Sequence, residues 1–299
     1  MARLTGTLSK LSLAAVALLA AAAAAEDPKG NLLLIGGGDR PHAVMAKFVE
    51  LAGGPSAPIV ILPTASGEAS TGPRLKREFE RGHGCTAVTV ANIRIPPDAH
   101  RQSFVEAIRN ARGIFFSGGD QRRIIQALRE TPALSALQEA FAAGAVVGGT
   151  SAGTACQSPL MLTGEGNFSL ITAGNVEVWP GLGLFPGVIV DQHFVARSRH
   201  NRLISVVLEH PHLLGVGVDE ATAVWVKPDQ TFEVVGEGWV VVYDAAAASV
   251  NRQRSDAESE RLGVHNLRTH VLLPGEGFDL AVRAAVAPAD PVSGSCNQP

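Results

Sequence analysis

The sequence predicts an α/β fold: a mostly parallel sheet covered by helices on both faces, with antiparallel strands added toward the C-terminus. Three observations predict it. Between residues 31 and 147, short apolar runs of strand length alternate with segments of helical period, and such alternation builds parallel βαβ units. The runs are continuously apolar, as strands buried on both faces must be. Glycine-rich loops follow three of them, at Gly36 to Asp39, Gly118 to Gln121 and Gly148 to Gly153. In an open α/β sheet the loops at the carboxyl ends of the strands converge on one rim, where ligands bind.

Taken in order, Asn31-Leu-Leu-Leu-Ile35 is the first strand and Ala43 to Ala52 the first helix, with Val44, Phe48 and Leu51 on one face. Pro58 to Leu62 is the second strand, closed by Pro63-Thr-Ala-Ser-Gly67. A charged helix over Gly72 to Arg81, a strand over Thr86 to Val90 and a helix over Gln102 to Ala111 follow. Gly113 to Phe116 is a strand with the exit loop Ser117-Gly-Gly-Asp-Gln121, and helical segments at Ile124 to Arg129 and Ala133 to Ala143 lead to a strand at Val146 and Val147. Residues 157 to 187 are rich in glycine and proline. Val188 to Val190 is a strand ending in Asp191-Gln-His-Phe194, and a helix containing Leu203 to Leu208 precedes the strand Gly215 to Val218. Ala223 to Val226, Thr231 to Val235 and Trp239 to Tyr243 alternate like antiparallel strands. Asn251 to Arg261 is polar and is expected as a surface loop, with Thr269 to Leu273 and Phe278 to Leu280 closing the sheet edge.

Residues 1 to 25 stand apart by composition. Arg3 and Lys10 precede an alanine-rich apolar run from Leu11 to Ala25, which ends before Glu26-Asp27-Pro28. This pattern predicts a secretory leader cleaved near Ala25, hence a secreted or periplasmic protein with no stable membrane insertion after cleavage. Residues 26 to 285 are expected as a single α/β domain, and 286 to 299 as a disordered tail. The 299 residues are 46% hydrophobic and 18% charged, with a formal net charge of −3. That core-forming content suits one large domain, and the charge leaves no electrostatic footprint for nucleic acid. Cys85, Cys156 and Cys296 permit at most one disulfide, and no Cys/His spacing suggests a metal site. Cys156 reads as a buried small hydrophobe.

Gly149-Thr-Ser-Ala-Gly153 fits the G-x-S-x-G turn that presents a nucleophilic serine between a strand and a helix. Its small neighbours let the chain bend, and the following helix offers backbone N–H groups to an oxyanion. A serine nucleophile needs a base and a group that orients the base. Among nine histidines, His193 ends an apolar strand and so belongs on the rim with Ser151. Asp219 and Glu220 end another strand and should point to opposite faces. Glu165 and Glu177 are further acid candidates, and spacing does not choose among them. Arg197, Arg199 and Arg202 gather near a helix start for which Ser198 is the expected cap. Cations are disfavoured there by the helix dipole, so an anionic partner such as a substrate carboxylate is expected.

Together these residues resemble the cyanophycinase family, relatives of dipeptidase E. The resemblance rests on Gly36-Gly-Gly-Asp39, Phe115 to Gln121, Gly148 to Gly153, Asp191 to Phe194, the three arginines and Gly217-Val-Asp-Glu220, in the family's order over roughly residues 30 to 280. It implies a serine peptidase on a fold like that of class I glutamine amidotransferases. Ser151 would be the nucleophile, His193 the base and Glu220 the orienting acid. Gly119 and Ala152 would supply the oxyanion donors. Gln121, Asp191, Gln192, Arg197, Arg199 and Arg202 would line the substrate pocket. The implied substrate is cyanophycin, a poly-aspartate with arginine joined to each β-carboxyl, cut to β-aspartyl-arginine dipeptides without a cofactor. A homodimer stays open. Two other classes compete. An α/β-hydrolase esterase would order its triad with His265 or His270 as base and Asp219 or Asp244 as acid. An exported binding protein would use the glycine rim for an anionic ligand without catalysis.

Overall fold

The protein is described from a computed structural model, which covers residues 29–166, 169–254 and 260–288. The expected leader lies outside the described residues, as does the expected tail beyond residue 288. In chain order the first half holds β1 (Leu32–Ile35), α1 (His42–Leu51), β2 (Ile59–Leu62), α2 (Thr71–Arg77), β3 (Val88–Val90), α3 (Gln102–Arg109), β4 (Gly113–Phe116), α4 (Gln121–Leu128), α5 (Pro132–Ala142), β5 (Val146–Thr150) and α6 (Ala152–Ala155). The second half holds β6 (Leu160–Gly166), β7 (Val176–Pro180), β8 (Val188–Gln192), α7 (His200–Glu209), β9 (Leu214–Val218), β10 (Thr222–Val226), β11 (Thr231–Gly236) and β12 (Val240–Asp244). Then come β13 (Ser249–Arg254), β14 (Glu260–His265), β15 (Arg268–Leu272), β16 (Gly277–Asp279) and β17 (Ala284–Val286).

The sheet that carries Ser151 is mixed. Its strands run in the order β17-β16-β11-β10-β1-β5-β4-β2-β3. The five from β1 to β3 pair in parallel, and β10, β11, β16 and β17 add antiparallel pairs beyond β1. The added antiparallel strands agree with expectation, but the expectation of one sheet is corrected. β8 and β9 leave this sheet and form their own with β12 and β15, in the order β15-β12-β9-β8. They pair in parallel with each other and β9 pairs antiparallel with β12. Val188 to Val190 and Leu214 to Val218 are as buried as the strands of the first sheet, so their composition does not say which sheet they join.

The layers follow from the side-chain periods. Leu33 and Ile35 of β1 face α1, where Val44 and Phe48 pack with Phe79 and Phe115. Leu32 and Leu34 point the other way, into a core shared by α3, α4, α5 and the inner face of the second sheet, with Val190, Val216 and Val242. The outer face of that second sheet is closed by Leu203, Val206 and Val207 of α7 over Ile189 and Val241. Sequence signals set the helix starts: Asp120 caps α4 by accepting from Arg122 N at 2.9 Å, and Pro132 opens α5 behind Thr131.

Two stretches differ from expectation. The glycine- and proline-rich segment after Ser151 contains the hairpin β6–β7. The polar stretch expected as a surface loop forms most of a second hairpin, β13–β14, whose central residues 255–259 lie outside the described set. The six residues of β13 are half-exposed or exposed. Among the described residues of the ribbon, only Val250, Leu262 and Val264 pack against the core, too few apolar positions to stand out in so polar a stretch.

Candidate active site

Ser151 sits at the turn between β5 and α6 with φ 55° and ψ −112°. An L-residue there is strained and persists only when its surroundings over-determine it. Here they do. Ser151 N donates to Ile35 O of the neighbouring strand at 3.0 Å, and Thr154 N and Ala155 N donate to Ser151 O at 2.9 and 3.0 Å. The fully buried Thr154 hydroxyl lies within hydrogen-bond reach of both Ile35 O (2.6 Å) and Gly149 O (2.8 Å). The glycines let α6 rest directly on the sheet, since a Cβ on Gly153 would lie 2.6 Å from Phe116 O. Ala152 is the first helical residue, so its N–H has no intrahelical acceptor. The Gly118-Gly119 loop leaving β4 runs alongside, with a Cβ on Gly118 only 3.4 Å from Ser151 Cβ.

His193 follows the last residue of β8, and its backbone is also strained, with φ 49°. The loop after β1 ties the two sheets together at this point. His193 N donates to Gly36 O at 2.8 Å, Gly36 N to Thr222 O at 2.9 Å, and Ala221 N to Gly37 O at 3.0 Å. Gly37 has φ 122°, and a Cβ on it would collide with the His193 ring. The ring therefore lies against bare backbone. Its Nε2 is 2.9 Å from Ser151 Oγ, and its Nδ1 hydrogen-bonds Glu220 Oε1. A neutral ring that donates from Nδ1 to the carboxylate leaves Nε2 as acceptor for the serine proton. Burial of the imidazole pulls its pKa below the ordinary value of 6.5, against its hydrogen bond to Glu220 and with help from Arg197 and Arg199. Such a histidine is neutral at pH 7 and able to accept a proton.

Of the two adjacent carboxylates, Glu220 faces the imidazole. Asp219 turns inward, and its Oδ1 accepts from Val195 N at 3.1 Å and Ala196 N at 2.9 Å. It thereby pins the chain just after His193. Glu165 pairs with Arg122 at 3.4 Å, and Glu177 accepts from the Thr163 hydroxyl at 2.7 Å, so both serve other contacts. His265 ends β14, and His270, on β15, packs edge-on against Phe278. Asp244, on β12, pairs with Arg283 at 2.7 Å.

Two clefts flank Ser151. One, of about 280 Å³, is lined by Gln121, Gln192, Arg197 and Arg199, together with Gly119, Gly164 and Glu165. Gln121 Nε2 donates to Leu162 O at 2.7 Å. Arg199 Nη1 donates to the Gln192 carbonyl at 2.6 Å and its side-chain Oε1 at 2.8 Å. Burial, and then the neighbouring Arg202, lower the Arg199 pKa to about 10, so it stays cationic at neutral pH. Arg197 is more than half exposed and comes within 3.9 Å of Glu220 Oε1. The other cleft, of about 230 Å³, is walled by Gly38, Arg40, Ser66, Glu68, Thr71 and Arg74. The sequence reading did not assign it, although Pro63 to Gly67 leaves the end of β2 on the same rim.

The arginine trio is corrected. Arg202 and Asp191 are buried and joined to each other, with Nε donating to Oδ2 at 2.6 Å and Nη2 to Oδ1. Neither lines the clefts beside Ser151. A buried carboxylate and guanidinium must pair with each other, because the cost of an isolated charge is prohibitive. α7 begins at His200 with Arg199 as its cap, and Ser198, at φ 51°, makes no capping bond. Cys85 and Cys156 are buried free thiols, as expected for Cys156.

A serine on a strained strand-to-helix turn, with a histidine and carboxylate drawn from a second sheet, defines a serine-type hydrolase on an α/β scaffold. The family model described as Peptidase family S51 matches residues 32–234. The cyanophycinase of Synechococcus elongatus is 36% identical over 256 residues, covering 84% of this chain and 80% of that protein. That of Geminocystis herdmanii is 34% identical, covering 84% and 94%. The crystal structure of a peptidase from an acI-B1 Actinobacterium superposes with a TM-score of 0.60 at 25% identity, over 78% of this chain and 97% of that one. The chain belongs to peptidase family S51 and is a serine-type peptidase.

Proposed function

We propose that this peptidase hydrolyses cyanophycin, multi-L-arginyl-poly-L-aspartate, to β-aspartyl-arginine dipeptides through an acyl-enzyme on Ser151. The observation that carries the reading is the 2.9 Å approach of His193 Nε2 to Ser151 Oγ, with Glu220 on Nδ1. The relatives named cyanophycinase support the substrate, and so does a cleft that sets two arginines beside the serine. As Oγ attacks the scissile carbonyl, Nε2 takes its proton and a C–O bond forms. The oxyanion is met by the N–H groups of Gly119 and Ala152. Collapse breaks the C–N bond, and His193 returns the proton to the leaving amine. Water then repeats the sequence on the ester and frees Ser151. Glu220 holds the ring and stabilises the transient imidazolium. Arg197 and Arg199 hold the free carboxylate at the end of the polymer, while Gln121 and Gln192 read the adjoining amides. The Asp191–Arg202 pair supports Gln192 and Arg199 from beneath.

The kinship of the core with class I glutamine amidotransferases is part of the same reading, resting on the serine turn and the parallel strands around it. Export with cleavage near Ala25 is also proposed. N-terminal sequencing of protein from the periplasm or medium is expected to begin close to Glu26, and recovery of full-length cytoplasmic chain alone would refute export. The substrate is tested by incubating purified protein with cyanophycin and weighing the products. Release of β-aspartyl-arginine is expected, and Ser151→Ala should lower the rate by several powers of ten with the fold intact. Ready hydrolysis of casein without that dipeptide would overturn the substrate.

A further inference from the structure

A third cleft, of about 480 Å³, opens next to the second of those beside Ser151 and shares Ser66 with it. Thr64, Ser66, Gly67, Asn92, Arg94 and Arg123 line it. Its electrostatics are one-sided. The Arg94 guanidinium is spent on neutral acceptors: Pro63 O at 2.8 Å, Ser66 O, Glu68 O at 3.2 Å and, through Nε, Asn92 Oδ1 at 2.8 Å. It thus anchors the loop after β2 and brings in a charge with no counter-ion. Burial, and then the nearby Arg123, lower the Arg94 pKa. Arg123 itself is exposed, and among the described residues its guanidinium has no hydrogen-bond or ion-pair acceptor. The carboxylate nearest in sequence, Asp120, is engaged on both oxygens by Arg122, at 3.1 and 3.2 Å. Gly67 leaves room for Arg123, since a Cβ there would lie 3.0 Å from Nη1. Thr64 is 2% exposed, and its hydroxyl has no partner.

Two guanidinium groups without a directly paired carboxylate, Arg123 feeling Asp120 only at longer range, and an orphaned hydroxyl on one cleft call for an anion with hydrogen-bonding oxygens. We propose that this cleft binds a carboxylate of the polymeric substrate at a distance from the bond being cut, as an exosite centred on Arg123. The inference rests on the proposed function. Each unit of the polymer presents a free arginyl carboxylate. If Arg197 and Arg199 hold the terminal carboxylate, the remainder of the chain leaves Ser151 on the opposite side. That side is the cleft containing Ser66, which leads on to Arg123.

The test compares cyanophycin with a two-unit β-aspartyl-arginine peptide, which presents far fewer carboxylates away from the bond being cut. Arg123→Gln is expected to raise KM for the polymer roughly two- to fivefold with kcat unchanged, as for one exposed arginine–carboxylate contact. The two-unit peptide should be unaffected, Arg123→Lys should recover much of the loss, and added salt should bring wild type toward the variant. Binding of cyanophycin to Ser151→Ala protein, with and without Arg123→Gln, gives a readout independent of turnover. Equal polymer binding and equal KM with or without Arg123 would overturn the exosite while leaving the function standing. Polymer binding that depends on Arg123, in a protein that releases no dipeptide, would overturn the function and keep the cleft.

Discussion

His193 is the residue on which burial and charge act together. Its pKa is lowered first by burial and then by Arg197 and Arg199, against the pull of Glu220. With the neutral ring as the proposed base, kcat/KM should fall as pH drops through that lowered pKa and be level at pH 7. Arg197→Gln removes a cation that disfavours the imidazolium, so its acid limb should move to higher pH. A pH profile of kcat/KM measures this, and a limb that stays put or moves down would show that Arg197 does not act on His193. The acid is separable in the same way. Glu220→Gln should cost about 10²- to 10⁴-fold in kcat, by loss of the charge behind the ring. Glu165→Gln should cost less than about threefold, since that side chain is mostly exposed and paired with Arg122. The reverse ranking would reassign the role.

Among the elements, the decisive ones are turns that leave strands. Ser151, His193 and Ala221 all have positive φ, at 55°, 49° and 53°. Ser151 and His193 follow β5 and β8 directly, and Ala221 comes just after Glu220. The loop after β1 braces all three. Gly37→Ala is therefore expected to cost about 1–3 kcal/mol of stability through strain at φ 122°. It should also displace the imidazole and lower kcat well beyond what the stability loss explains. Denaturation midpoints read beside kcat check this; a variant with wild-type turnover would show that the ring does not depend on that bare backbone. The join between β8 and α7 is the Asp191–Arg202 pair. Arg202→Ala leaves the buried Asp191 carboxylate with Arg199, at 3.7 Å, as its remaining cation and should cost up to about 3 kcal/mol in chemical denaturation. A loss below about 1 kcal/mol would show that Asp191 finds other partners or water.

At the scale of the whole molecule, the two sheets share one continuous apolar core, in which Leu34 and Val147 pack with Val190, Val216 and Val242. Calorimetry of the protein should therefore show a single cooperative transition, and two resolved transitions would mean that the second sheet melts by itself. The sequence alone determined the alternation of strands and helices, the serine turn, the rim on which the glycine loops converge and the candidacy of His193. Those features are local: they depend on side-chain period, on glycine's backbone freedom and on small residues around one serine. It did not determine that β8 and β9 join β12 and β15 in a second sheet, because the buried residues of these strands are of the same apolar kind as those of the first sheet. It could not choose Glu220 over Asp219, since the direction of each carboxylate depends on how the chain leaves β9 and on the space that Gly37 and Gly38 leave open. Nor could it separate Arg202 from Arg197 and Arg199. Three arginines within six residues look alike in a sequence, and only long-range packing placed Arg202 beneath the rim against Asp191, where a charge must be paired, set Arg199 largely buried beside Gln192, and left Arg197 exposed near the serine.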